Sequence, residues 1–264
     1  MPYAKNGDQE IFYEDTGGDL PAIIFSHGLL MDHTMFAPQV DALRDRYRCI
    51  TWDERGHGRT ATDHLAPFSY YDSADDCIAV LRHAGVSRAV LAGMSQGGYL
   101  SLRCALRHPD VVRALILIDT QALPEDQEKI HGYQQIMTDW VTNGLSDATA
   151  AIIAHIILGD SWAGAEAWKA KWKAMKPVNL LGAFTALGSR DDISTAIAGI
   201  RAPALVIHGE ADIAIEPQRA EAMRTTLPNA VPMVPVPGAG HAANLTNPAP
   251  VNAAIIRFLE GLAA

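Results

Sequence analysis

Short apolar runs alternate with helix-periodic stretches along most of this chain, and that alternation restricts its fold more than any other feature. Ala22-Ile23-Ile24-Phe25-Ser26 reads as a strand. Phe36, Val40 and Leu43 follow at i, i+4 and i+7, one face of a helix. Arg48–Trp52 is the next strand, and Tyr70, Ala74, Cys77, Ile78 and Leu81 form the next helical stripe. Strand Ala89–Ala92, helix Ser95–Arg107 and strand Ala114–Asp119 continue the pattern. After a gap come strand Ala204–His208, helix Pro217–Leu227, strand Val231–Val236 and a last helix. Strands separated by helices form βαβ units, so the chain is expected to be α/β, a mostly parallel sheet with helices on both faces. Asn6-Gly7 predicts a tight hairpin turn whose second strand covers Glu10–Glu14, which brings the sheet to eight strands. Pro232 and Pro235 cannot donate to a ladder, so the last strand belongs at an edge. Asn247 and Pro248 suit the cap and first position of the final helix, with Val251, Ile255, Phe258 and Leu259 facing inward.

Residues 120–190 interrupt the alternation. Three helical stretches and no strand are expected there, together with four of the five tryptophans, Trp140, Trp162, Trp168 and Trp172. The segment reads as a helical lid, residues 121–190, inserted after the sixth strand of a core made from residues 1–120 and 191–264. Its aromatics either pack it onto the core or face a ligand.

Composition narrows the possible partners. The net charge of −9 disfavours nucleic acid, because phosphate contacts need clustered Lys and Arg. No apolar run reaches 18 residues, so no membrane-spanning helix is expected. The first seven residues carry no charged-then-apolar leader pattern. Cys49, Cys77 and Cys104 are odd in number and far apart. They read as free, buried thiols in a reducing, cytoplasmic setting. A chain of 264 residues folds to roughly 11,000 Å² of surface from roughly 41,000 Å², enough burial for a core without disulfide or metal.

The sharpest motif is Gly93-Met94-Ser95-Gln96-Gly97-Gly98. It follows one predicted strand and opens a helix, the setting in which G-x-S-x-G presents a serine on a tight turn. A serine hydroxyl needs a base and an orienting acid to act as a nucleophile at neutral pH. Asp212 follows strand Ala204–His208, and His241 follows the edge strand, which gives the chain order serine, acid, histidine. Glu210 and Asp119 are rival acids. Of the other histidines, His27, His57 and His208 sit beside strand ends and read as hydrogen-bonded structural groups. The remaining six read as surface or packing residues. No H-E-x-x-H or similar spacing suggests a metal.

These residues resemble those of α/β-hydrolase-fold serine hydrolases over essentially the whole chain. The resemblance implies catalytic Ser95, Asp212 and His241, and an oxyanion hole from the backbone N–H groups of Leu29 and Gln96. It also implies acyl transfer to water without a cofactor. Asp53-Glu54-Arg55-Gly56-His57-Gly58 is similar to a D-x-R-G-x-G segment of that family and implies a structural turn. Serine at the nucleophile position argues against the dehalogenases and epoxide hydrolases of this fold, which carry aspartate there. The chain is similar to the small carboxylesterase, enol-lactonase and cofactor-free perhydrolase group, which implies a small-molecule ester or lactone substrate. The tryptophan-rich lid motivates a bulky, even macrocyclic, lactone. His27, Met94, Trp140, Trp162 and Trp168 stand as candidate substrate contacts. Lys169, Lys171, Lys173 and Lys176 read as the solvated face of an amphipathic helix. A non-catalytic ligand-binding member of the fold is the rival class, and both monomer and homodimer stay open.

Overall fold

The computed structural model describes residues 2–262. The chain runs β1 (Tyr3–Asn6), β2 (Gln9–Asp15), β3 (Ala22–Ser26), α1 (Ala37–Leu43), β4 (Arg48–Trp52), α2 (Tyr70–His83), β5 (Ala89–Met94), α3 (Gln96–Arg107) and β6 (Val112–Ile118). Four helices follow: α4 (Gln127–Asn143), α5 (Asp147–Leu158), α6 (Ala165–Lys173) and α7 (Pro177–Gly188). Then come β7 (Ala204–Gly209), α8 (Pro217–Thr226), β8 (Val234–Val236), α9 (Ala243–Thr246) and α10 (Pro248–Leu262). The eight strands form one sheet in the order β1-β2-β4-β3-β5-β6-β7-β8. Only the β1–β2 and β2–β4 pairs are antiparallel.

Every residue of β3, β5 and β7 is buried, as expected of central parallel strands covered on both faces. Alternate side chains feed two cores. Ile23, Phe25, Val90 and Ile116 pack with α10 and the inserted helices. Ile24, Leu91, Leu115 and Val206 pack with α2, α3 and α8 on the other face. Cys49, Cys77 and Cys104 are free and buried within these cores, and burial pushes the Cys49 thiol up to about 12. Ser69 and Asp72 close a reciprocal capping box at the start of α2. From β3 the chain moves first to β4 on one side and then to β5 on the other. The carboxyl ends of β3 and β5 therefore flank a topological switch point, the usual place for a ligand crevice in such sheets.

Four expectations are corrected. The hairpin loop is Gly7-Asp8, one residue later than Asn6-Gly7, because Asn6 pairs with Gln9 and Gly7 takes φ +59°. The edge strand shrinks to Val234–Val236, and Pro232 falls outside it. The inserted segment holds four helices rather than three. Gly144 and Gly159, at φ +82° and +76°, end α4 and α5, and Pro177 forces a fresh start for α7. The lysines of this segment are not simply solvated. Lys169, Lys171, Lys173 and Lys176 pair with Glu166, Asp32, Asp147 and Asp63. No helix among the described residues is long and apolar enough to cross a membrane.

Candidate active site

Ser95 sits between β5 and α3 at φ +50°, a left-handed backbone that few non-glycine residues adopt. The turn closes because Gly97 has no side chain. A Cβ there would run into the backbone carbonyl of Ser26 at the end of β3. His241 Nε2 lies 2.9 Å from Ser95 Oγ, and His241 Nδ1 lies 2.9 Å from Asp212 Oδ2. Asp212 Oδ1 accepts the backbone N–H groups of Ala214 and Ile215 at 2.8 and 3.0 Å. Burial pushes the Asp212 carboxyl up. The His241 charge, hydrogen bonds from His208 and His241, and the Ile215 N–H outweigh it, and the acid is held well below the usual carboxylate range. Burial lowers the His241 pKa, but the Asp212 carboxylate more than reverses this and leaves it raised.

Asp119, the rival acid, has a different role. Its two oxygens accept the N–H groups of Gly209 (2.7 Å) and Ala243 (3.0 Å), tying the end of β7 to the segment that carries His241. Burial raises its carboxyl to about 7. Glu210 is exposed.

Leu29 and Gln96 line the same cleft as Ser95. Gln96 opens α3, so its N–H precedes the first intrahelical acceptor. The loop carrying Leu29 is held from several sides. His27 Nδ1 donates to Gly28 O, and His27 Nε2 accepts the Glu54 N–H. His57 Nε2 accepts the Leu30 N–H at 3.3 Å, and Leu30 O accepts Trp172 Nε1–H at 2.8 Å. Leu30 itself stands at φ +64°. Burial keeps His57 neutral, down to about 3. The Gln96 side chain is anchored between Glu54, which accepts from its Nε2, and Tyr70, which donates to its Oε1. Glu54 is fully buried, and burial lifts its carboxyl to about 7.

The cleft above Ser95 is partly enclosed and lined mostly by apolar side chains. Met94 lines it. Ile136, Ile153, Ile156, Ile157 and Phe184 of the inserted helices supply most of its roof. The other expected substrate contacts are corrected. His27 braces the Leu29 loop from within the core and does not line the cleft. Trp140 is buried in the core beneath the inserted helices, and Trp168 lies under the Lys171 ammonium, 4.1 Å from its ring centroid. Trp162 packs against Gly164, at the start of α6. The sequence reading missed Glu125, Tyr133 and Arg190, which also line the cleft. It also missed Glu54, whose position inside the D-x-R-G-x-G turn was the one available signal. His33, read as a surface or packing residue, is buried and bonds Asp53 at 2.8 Å.

Two buried groups, Asp32–His33–Asp53 and Asp119–His208–Asp212, bring ligand-type atoms within 4.8 Å of one another, which the sequence spacing did not suggest. Their carboxylate oxygens already accept protein hydrogen bonds. Asp53 takes His33 and Arg59 N–H groups, and Asp32 takes Thr34 and Lys171. Asp119 and Asp212 are engaged as described above.

A family model described as the alpha/beta hydrolase fold matches residues 21–248. The chain belongs to that family. Among its relatives is 2-(acetamidomethylene)succinate hydrolase of Mesorhizobium japonicum, 28% identical, the match covering 92% of this chain and 89% of the relative. A thermophilic esterase from Thermogutta terrifontis superposes with a TM-score of 0.88 at 26% identity, covering 99% of this chain and 97% of the other. The enol-lactonase from Burkholderia xenovorans LB400 superposes with a TM-score of 0.87 at 24% identity, covering 98% of this chain and all of the other. The second and third likenesses are whole-chain likenesses of fold, and the substrates named across the three differ. The choice of substrate therefore has to be sought in the cleft.

Proposed function

We propose that this chain is a serine hydrolase that cleaves a carboxylic ester or lactone through an acyl-enzyme. The observation that carries this is the unbroken relay from Ser95 Oγ to His241 Nε2 and from His241 Nδ1 to Asp212, with Ser95 raised on a left-handed turn into an apolar cleft. His241 takes the Ser95 proton as the oxygen attacks the carbonyl, and Asp212 fixes the tautomer and stabilises the imidazolium. The N–H groups of Leu29 and Gln96 receive the tetrahedral oxyanion, each contributing about 3–4 kcal/mol of transition-state stabilisation. His241 then protonates the leaving alcohol and activates water to release the acid. Residues 121–190 act as a cap that keeps bulk water from the acyl-enzyme. The mostly aliphatic roof suits an uncharged acyl or alcohol group. A macrocyclic lactone loses its motivation, because Trp140 and Trp168 do not face the cleft.

The test is intact-mass spectrometry after a fluorophosphonate probe, on wild type and Ser95→Ala, beside a panel of aryl esters and lactones. A single adduct on wild type alone, with turnover of one class, is expected. No adduct and no turnover would reject the hydrolase reading in favour of a ligand-binding role.

A further inference from the structure

The acyl-transfer steps leave one charged pair in the cleft without a task. Glu125 lies between β6 and α4, Arg190 lies just beyond α7, and both line the wall of the cleft that also holds Ser95. Their side chains are 6% and 3% exposed, and Arg190 Nη2 stands 3.2 Å from Glu125 Oε2. The guanidinium carbon sits 4.0 Å from the Tyr99 ring centroid, a cation–π contact. Arg190 Nε is buried and meets no acceptor among the described residues.

Stability alone does not explain such a pair. Two charges removed from water regain their desolvation cost only with good geometry and full hydrogen bonding. Apolar residues of similar volume often serve the fold as well or better. Here the bond is long and a buried donor is left over, in a pair that lines a largely apolar cleft. The pair is neutral overall. A carboxylate entering the cleft meets Glu125, and an ammonium meets Arg190. An uncharged group with an acceptor beside a donor satisfies both partners, its oxygen taking an Arg190 N–H and its own N–H reaching a Glu125 oxygen.

We propose that Glu125 and Arg190 form a recognition site for a carboxamide-type group on the substrate, on either side of the scissile bond. This rests on the acyl-transfer reading of Ser95 and adds a polar anchor to an otherwise apolar pocket.

The test compares aryl esters of ω-carbamoyl alkanoic acids, over a range of chain lengths, with their ω-methyl and ω-carboxylate counterparts. A matching set carries the carboxamide on the alcohol side. In wild type, the carboxamide substrate of the best length should exceed its methyl counterpart by roughly tenfold or more in kcat/KM, mainly through KM. Arg190→Lys keeps the charge but loses the planar fork, and should cut the preference several-fold. Glu125→Leu with Arg190→Met replaces the pair by apolar side chains and should bring the ratio to about one. The same substrates titrated calorimetrically into Ser95→Ala report the preference without turnover. Absent hydrolysis thus counts against acyl transfer, and an absent binding preference counts against the Glu125–Arg190 site. The proposal is overturned by no carboxamide preference in either set, by a preference that survives the double variant, or by a carboxylate substrate that outperforms the carboxamide.

Discussion

The substitution Glu54→Gln should stabilise this protein at neutral and alkaline pH while changing little at pH 4.5. Glu54 is fully buried, one oxygen accepts from Gln96, and burial outweighs the hydrogen bonds that Ser73 and Gln96 offer its carboxyl. Burial lifts its carboxyl from 4.5 to about 7. The sign follows from proton binding. Between these values the folded chain holds the Glu54 proton more tightly than the unfolded chain, so stability falls as pH rises through the window. The rise from 4.5 to about 7 corresponds to about 3 kcal/mol lost by pH 8 relative to pH 4.5. The introduced glutamine cannot titrate, and its amide oxygen can still accept from Gln96. Urea denaturation of wild type and variant from pH 4.5 to 8 gives the difference directly, and it also cancels the parallel contribution of Asp119. The variant should gain steadily up to about pH 7 and then level off. A difference that does not change with pH, or a wild type that gains on the variant as pH rises, would refute the reasoning. Either result would mean that Glu54 is held as a carboxylate.

Other outcomes follow from the same geometry. The acid limb of kcat/KM should lie above the ordinary histidine value of 6.5, because Asp212 raises His241 and the base must be neutral to take the Ser95 proton; a stopped-flow pH profile reads it. Gly97→Ala should cost about 3 kcal/mol or more in urea denaturation, because backbone meets the new Cβ and neither side can yield. Trp140→Ala should cost about 3–5 kcal/mol of stability, while KM for small esters, measured well below the melting temperature, stays near wild type. Trp172→Phe should cost about 1–3 kcal/mol by leaving the buried Leu30 carbonyl without its donor, again measured by urea denaturation.

The sheet was legible because central strands, covered on both faces, read as continuous apolar runs. Arg48–Trp52 therefore matched β4 to the residue. The serine, acid and histidine stood out for a related reason: each follows a strand, and strand ends set the position of what comes next. Side-chain direction within the inserted helices was not legible. In α5, Ile152 is 52% exposed while its neighbour Ile153 is 6% exposed, and both belong to an unbroken apolar stretch that hides its inward face. Tryptophan content suggested an aromatic wall, but the large rings were taken up in anchoring the helices, and smaller isoleucines were left to line the cleft. Glu125 and Arg190 meet across 65 positions of sequence, beyond the reach of any local pattern. Glu54 was hidden by its exposed-looking turn, since nothing in the sequence says that Gln96 and Tyr70 close over it.

The inserted helices also hold the core through two main-chain groups. Trp172 of α6 caps the Leu30 carbonyl beside Leu29, and the Ile157 carbonyl of α5 receives the Ala242 N–H one residue past His241. Grafting a foreign helical segment onto this core would strand both groups at once, next to Leu29 and next to His241. New specificities in this scaffold should therefore be sought by exchanging single inward-facing side chains such as Ile136, Ile156 or Phe184. The inserted helices also hold the loops of Leu29 and His241, and they are poor candidates for wholesale replacement.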